Sequence, residues 1–139
     1  MDKSDLSSCP CTSTLPYDQC CKRYHTGAHP ESALQLMRSR FSAYALGLSD
    51  YLIKPTHPKN PDRKPNLMQW RKDLSLFSKS TEFRGLTIIE FSDGKDEAFV
   101  CFTAHWVQSG RDATFTERSR FLKVKDRWLY ESGKVQTIL

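Results

Sequence analysis

A chain of 139 residues with 38% hydrophobic, 12% aromatic and 27% charged residues has the make-up of one globular domain carrying a small appendage. It is too short for two full domains, too apolar for a disordered chain, and lacks the run of roughly 18 apolar residues that a membrane span needs. The net charge of +5 is localised, because residues 54–79 hold seven basic side chains against two acidic ones.

Residues 1–8 are polar and predict a dispensable tail. No apolar stretch of signal-peptide length follows Met1, so a cytoplasmic protein without membrane association is expected. Residues 9–21, CPCTSTLPYDQCC, hold four of the five cysteines. In a reducing compartment clustered thiols are metal ligands more often than disulfides, and adjacent Cys20 and Cys21 would bridge only with strain. Thiolates suit Zn2+, and four of them close a tetrahedral structural site. The predicted ligands of one Zn2+ are therefore Cys9, Cys11, Cys20 and Cys21. Sites with three cysteines and one histidine also exist, which leaves His25 or His29 as substitutes for one of the four.

After Gly27, the apolar residues Leu34, Met37, Phe41, Tyr44 and Leu48 recur in steps of three and four. They predict an amphipathic helix with Pro30 in its first turn, Gly47 near its end, and Arg38 and Arg40 flanking the stripe. Residues 49–53 (SDYLI) give a further helical turn. The next thirteen residues contain four prolines and form an exposed loop. Leu67, Trp70, Leu74 and Phe77 resume helical spacing behind Asn66 as N-cap, giving a second long helix to about Ser78. From Phe83 the period becomes two, with strands over 86–91, 98–107, 114–124 and 127–131 separated by turns. Helices first and a meander afterwards define an α+β fold with one sheet face covered. Cys101, inside the second strand, reads as a small buried side chain.

The pattern C-x-C-x8-C-C resembles the SEC-C zinc motif of the SecA preprotein translocase and many small bacterial proteins, whose usual form is CPCGSGKxYxxC[HC]. Cys9, Pro10, Cys11, Ser13, Tyr17, Cys20 and Cys21 keep its register. Thr12 and Thr14 stand where glycines are usual, so the loop is expected to be strained or differently turned. Further on, LMRSRFSAYALGLSDYLIKPTHP and ERSRFLKVKDRWLYESG resemble the YchJ-like bacterial proteins, the likeness running from residue 9 to about 133. It implies a nuclear transport factor two-like (NTF2-like) domain: helices followed by a four-stranded antiparallel curved sheet forming a cone, with an N-terminal zinc knuckle. The expected division is a tail and knuckle over 1–28 and the cone over 29–139. Many relatives carry a second SEC-C motif, whereas no cysteine follows Cys101 here.

On the third strand Phe115, Glu117, Ser119 and Phe121 share one face. If that face lines the cone, Glu117 needs a hydrogen-bonding or basic partner such as Arg38 or Arg40. The result is either a structural ion pair or part of a ligand pocket shaped by His105, Trp106 and Tyr130. Two functional readings stand. In the first, the protein is a zinc-binding interaction module whose knuckle meets a protein partner and whose basic segment 54–79 attracts the ribosome or RNA. The resemblance implies a chaperone, translocation or ribosomal contact, because the translocase motif contacts the SecB chaperone and the ribosome. In the second, the protein is a small-molecule enzyme or ligand-binding protein that uses the cone, with Glu117 as acid or base. No nucleophile and base pair is visible, and the interaction module is the preferred reading.

Overall fold

In the computed structural model, which describes residues 7–136, helices fill the first half of the chain and strands the second. The polar tail, up to residue 6, lies outside the described residues. A 3-10 turn at Tyr17–Gln19 is followed by α1 (Lys22–His25), α2 (Ala33–Leu46), α3 (Ser49–Ile53) and α4 (Leu67–Lys79). The Ser32 hydroxyl accepts from the Gln35 N–H while the Gln35 side chain accepts from the Ser32 N–H, a reciprocal cap that starts α2. Pro30 therefore precedes this helix and does not form its first turn. Gly47 ends it at φ 72°, a left-handed position that favours glycine. Asn66 caps α4 by accepting from the Gln69 N–H at 3.1 Å.

The strands are β1 (Thr81–Ser92), β2 (Glu97–Gln108), the two-residue β3 (Arg111–Asp112), β4 (Phe115–Val124) and β5 (Arg127–Gln136). They form one antiparallel sheet in the order β1-β2-β4-β5, with β3 beside the end of β2. Both outer strands outrun their apolar stretches, because backbone pairing continues where the side chains have turned polar. Register shifts at Phe83/Gly85 and Ile88/Glu90 of β1, and at Arg120/Phe121 against β5, bend the sheet. Each also resets the alternation of faces. Phe83, Leu86, Ile88 and Phe91 consequently all pack on the core despite their uneven spacing.

That core lies between α2 and the concave sheet face, where Leu36, Met37 and Phe41 meet Val100, Phe102 and Phe121. Burying side chains of this size contributes about 1.5–3 kcal/mol each. Helix α2 is buried on a second side as well: Ser39 and Ser42 are fully buried although polar. The Ser39 hydroxyl donates to the Leu36 carbonyl and meets the Tyr51 hydroxyl, so its burial is compensated. One apolar stripe, as the spacing of Leu34 to Leu48 implies, understates this helix. No described helix is long and apolar enough to cross a membrane.

Candidate functional site

The loop before α1 gathers Cys9, Cys11, Cys20 and Cys21 into a buried cluster with all four sulfurs within 4.8 Å of one another. Cys11 and Cys20 are 3.6 Å apart and Cys20 and Cys21 3.8 Å. A tetrahedral ion with metal–sulfur bonds of about 2.3 Å needs sulfur–sulfur edges of about 3.8 Å, so the donor set fits such an ion closely. Every sulfur also has an outer partner. Ser42 Oγ lies 3.2 Å from Cys9 Sγ and 3.3 Å from Cys21 Sγ, Ser13 Oγ is 3.1 Å from Cys20 Sγ, and Arg38 Nη1 reaches Cys11 Sγ at 3.9 Å. Donors placed this way orient thiolates and offset their charge.

Four thiols this close cannot ionise independently. Hydrogen bonds from Cys21 and Cys9 hold Cys11 below the usual thiol range, and the Cys11 contact raises Cys21. Burial pushes Cys20 up to about 11. A divalent cation bound at the centre lets all four become thiolates.

Thr12 and Thr14 adopt φ 61° and φ 78°, the left-handed region expected for the glycines they replace. The loop keeps the backbone turn and accepts the strain. Thr12 offsets part of it: its hydroxyl accepts from the Leu86 N–H at 3.1 Å and lies within donating distance of the Cys11 and Leu86 carbonyls, tying the knuckle to β1. His25 is not drawn to the thiols. Its Nε2–H donates to the Ser39 carbonyl at 2.8 Å and its Nδ1 accepts from the Tyr17 hydroxyl at 2.7 Å, while burial lowers its pKa. His29 is exposed and outside the cluster.

At the other end of the domain α2, α4, the proline-rich loop and the concave sheet face enclose a cavity of about 360 Å³. Phe41, Phe77, Trp106 and Phe115 form much of its wall, with Phe77 and Trp106 edge to face at 5.2 Å. Lys64 and Asp73 form an ion pair on its lining, joining the loop to α4, and Arg63 lies over the Trp70 ring at 5.7 Å. Arg40, Asn60, Glu117 and Tyr130 are the principal polar groups inside.

Glu117 is thus on the cavity face, but without the arginine ion pair expected for it. Its Oε2 accepts from Ser119 Oγ at 2.6 Å and from the Tyr130 hydroxyl at 3.5 Å. Arg40 is 6% exposed, donates from Nη1 to the Leu52 carbonyl at 3.1 Å, and stacks over the Tyr130 ring at 4.4 Å. Among the described residues no carboxylate pairs with it. Tyr130 stands between the two charges, its ring under the guanidinium and its hydroxyl at the carboxylate. Burial, reinforced by Glu117, raises the pKa of that hydroxyl and keeps it a donor.

Two expected pocket residues are elsewhere. Arg38 is two positions from Arg40, about 200° around the helix, and donates to the Cys11 carbonyl at 3.2 Å in the knuckle. His105 pairs with Gly85 and meets the Thr87 hydroxyl at 2.9 Å on the outer sheet face, since strand alternation cannot aim both His105 and Trp106 inward. Cys101 is likewise on that outer face, half-buried and free. Three site residues escape sequence reading. Ser42 sits one helical turn after Arg38, and Asn60 is buried within the proline-rich loop. Gly133 faces inward because of the bulge before it, and a Cβ there would come within 2.4 Å of the Glu117 carboxyl carbon and 2.7 Å of the Tyr130 hydroxyl. Gly133 lies beyond the strand read from the sequence over 127–131, so nothing in the sequence marks it.

A curved antiparallel sheet closed by helices over a cavity, preceded by a knuckle of four buried thiols, defines an NTF2-like domain with a SEC-C type motif. Residues 32–133 match the family model described as the middle NTF2-like domain of YchJ. The chain is 42% identical over 138 residues to the UPF0225 protein PC1_1977 of Pectobacterium carotovorum, covering 94% of this chain and 85% of that protein. It superposes with a TM-score of 0.81 on the solution structure of RPA3114, a SEC-C motif containing protein from Rhodopseudomonas palustris. That likeness has 28% identity and covers 94% of this chain and all of that one. A second SEC-C motif containing protein, from Psychrobacter arcticus, gives a TM-score of 0.80 at 25% identity, covering 98% of this chain and 86% of its own. The chain belongs to the YchJ-like UPF0225 family.

Proposed function

We propose that the protein is a zinc-stabilised small-molecule-binding protein. The zinc part is supported by the donor set: four buried thiols, no carboxylate or water-facing position among them, and an outer hydrogen-bond partner for each sulfur. This is the arrangement of a closed structural site, which adds folding free energy and leaves no coordination position for chemistry. Elemental analysis of protein purified without chelator is expected to give one zinc per chain.

The observation that carries the binding function is Arg40, a buried guanidinium on the wall of an aromatic cavity with no carboxylate partner among the described residues. Buried charges are normally paired, and a volume of about 360 Å³ is within the range of small-molecule sites. The test is a fragment screen by 1H–15N NMR on the zinc-loaded chain. Shifts are expected at Glu117, Tyr130 and Trp106, and a screen in which no fragment moves them defeats the reading.

The alternative, a knuckle displayed to a chaperone, translocation or ribosomal partner, has less to rest on. Thr12, Arg38 and Ser42 engage the knuckle with its own domain. Part of the basic segment is likewise engaged internally, through Lys64 with Asp73, Arg71 with Asp50 and Arg63 with Trp70. If RNA is nevertheless bound there, retention will fall steeply with salt.

A further inference from the structure

We infer that the cavity selects a small aromatic zwitterion, a compact ring carrying one acidic group and one cationic N–H group; this rests on the binding function proposed above. Of the charges lining the cavity, Lys64 is paired with Asp73 and Asp62 is exposed, which leaves Arg40 and Glu117 inside, one of each sign and neither neutralised by direct contact with the other. Among the described residues Arg40 is buried with a single hydrogen bond, to the Leu52 carbonyl, and a ring stacked beneath it. Glu117 receives its two hydrogen bonds on Oε2 alone, from Ser119 and Tyr130. Tyr130 holds the two apart.

A third group points the same way. Asn60 borders the cavity and is 5% exposed, and its side-chain Nδ2 is buried with no hydrogen-bond acceptor among the described residues. The carbonyl end of the same amide is engaged, accepting from the Asp62 N–H at 2.8 Å, which fixes the amide's orientation. A buried donor without an acceptor is costly, and an acidic ligand group would relieve it. The site therefore supplies a guanidinium donor for an anionic end, with the buried Asn60 amide beside the cavity, and a carboxylate acceptor for a cationic end. A singly charged ligand would satisfy one end and leave the other charge stranded, the situation that costs most in a low-dielectric site. Phe41, Phe77, Trp106 and Phe115 offer edges and faces to a ring carried beside those two charged groups.

The experiment titrates the full zinc-loaded chain by 1H–15N NMR with L-phenylalanine and L-tryptophan. 3-Phenylpropionate lacks the ammonium, phenethylamine lacks the carboxylate, and benzyl alcohol lacks both. The amino acids are expected to bind at least about tenfold more tightly than each singly charged analogue. Glu117→Gln should erase the preference over 3-phenylpropionate, and Arg40→Gln the preference over phenethylamine. Should Arg40→Gln lose its fold, the Glu117→Gln arm alone decides. Analogues or benzyl alcohol binding as well as the amino acids would overturn the zwitterion and leave the binding cavity standing. Absence of shifts with every compound at millimolar concentration would overturn both.

Discussion

The hydroxyl of Thr12 lies 3.1 Å from the backbone nitrogen of Leu86 and 3.0 Å from its carbonyl oxygen, a side chain of the knuckle inserted at the edge strand of the cone. Thr14, two residues on, has the same left-handed backbone and is exposed. A left-handed non-glycine residue costs roughly 1–2 kcal/mol, and glycine loses roughly 0.5–1 kcal/mol of that advantage in chain entropy. Thr14→Gly should therefore stabilise by about 0.5–1 kcal/mol. Thr12→Gly should destabilise by about 1 kcal/mol despite the same relief, because it removes hydrogen bonds worth about 0.5–1.5 kcal/mol each. Urea denaturation of the two variants checks the opposite signs.

Ser42 touches two sulfurs from one helix position. Ser42→Ala is expected to weaken metal binding by about 10–100-fold, the usual loss when an outer partner of a metal ligand is removed. Competition against a chromophoric chelator measures it. An affinity equal to the parent's would assign Ser42 to packing alone.

Cys20→Ser should lose the metal yet keep the far-ultraviolet signature of the cone. The four thiols and Tyr17 form a cluster of their own, apart from the core between α2 and the sheet. The knuckle is not idle, however, since Thr12, Arg38 and Ser42 join it to β1 and α2. A melting temperature lower by about 5–10 °C is expected, corresponding to one or two kcal/mol in a chain of this size. Global loss of secondary structure would show that the knuckle is required for the cone to fold.

How much of this was legible in the sequence divides along physical lines. The thiol cluster is local, its ligands lying within thirteen residues, and spacing alone predicts their convergence. The order of helices and strands follows from the change of period at Phe83. What depends on bulges was hidden, because a register shift alters which side chains face inward without leaving a strong mark in composition. Gly133 is the clearest case. Two pairs of near neighbours, Arg38 with Arg40 and His105 with Trp106, show a different error: in each, ordinary helix or strand geometry already forbids both members from sharing the cavity.

Gly133 leads to a sharper test of the cavity. Adding a methyl group there would place it 2.4 Å from the Glu117 carboxylate, on backbone that cannot easily retreat within the sheet. Gly133→Ala should displace Glu117 and Tyr130, with a stability loss of about 1–3 kcal/mol from overpacking. Aromatic side-chain NMR shifts of Tyr130, followed beside the melting temperature, separate local displacement from general unfolding.

Glu117→Gln then distinguishes a structural carboxylate from a functional one. Had Glu117 been locked to a buried arginine, neutralising it would strand that arginine and cost about 3–5 kcal/mol. Its actual partners are the neutral hydroxyls of Ser119 and Tyr130, to which a glutamine oxygen also offers an acceptor. The variant should therefore remain within about 1 kcal/mol of the parent, the surplus being the charge-assisted part of those two hydrogen bonds. Arg40→Met, in contrast, leaves the Leu52 carbonyl without its buried donor and should lose more, by about 1–3 kcal/mol. Parallel denaturant titrations give both values. A larger loss in Glu117→Gln than in Arg40→Met would place the carboxylate in the framework of the cone and remove it from the binding site.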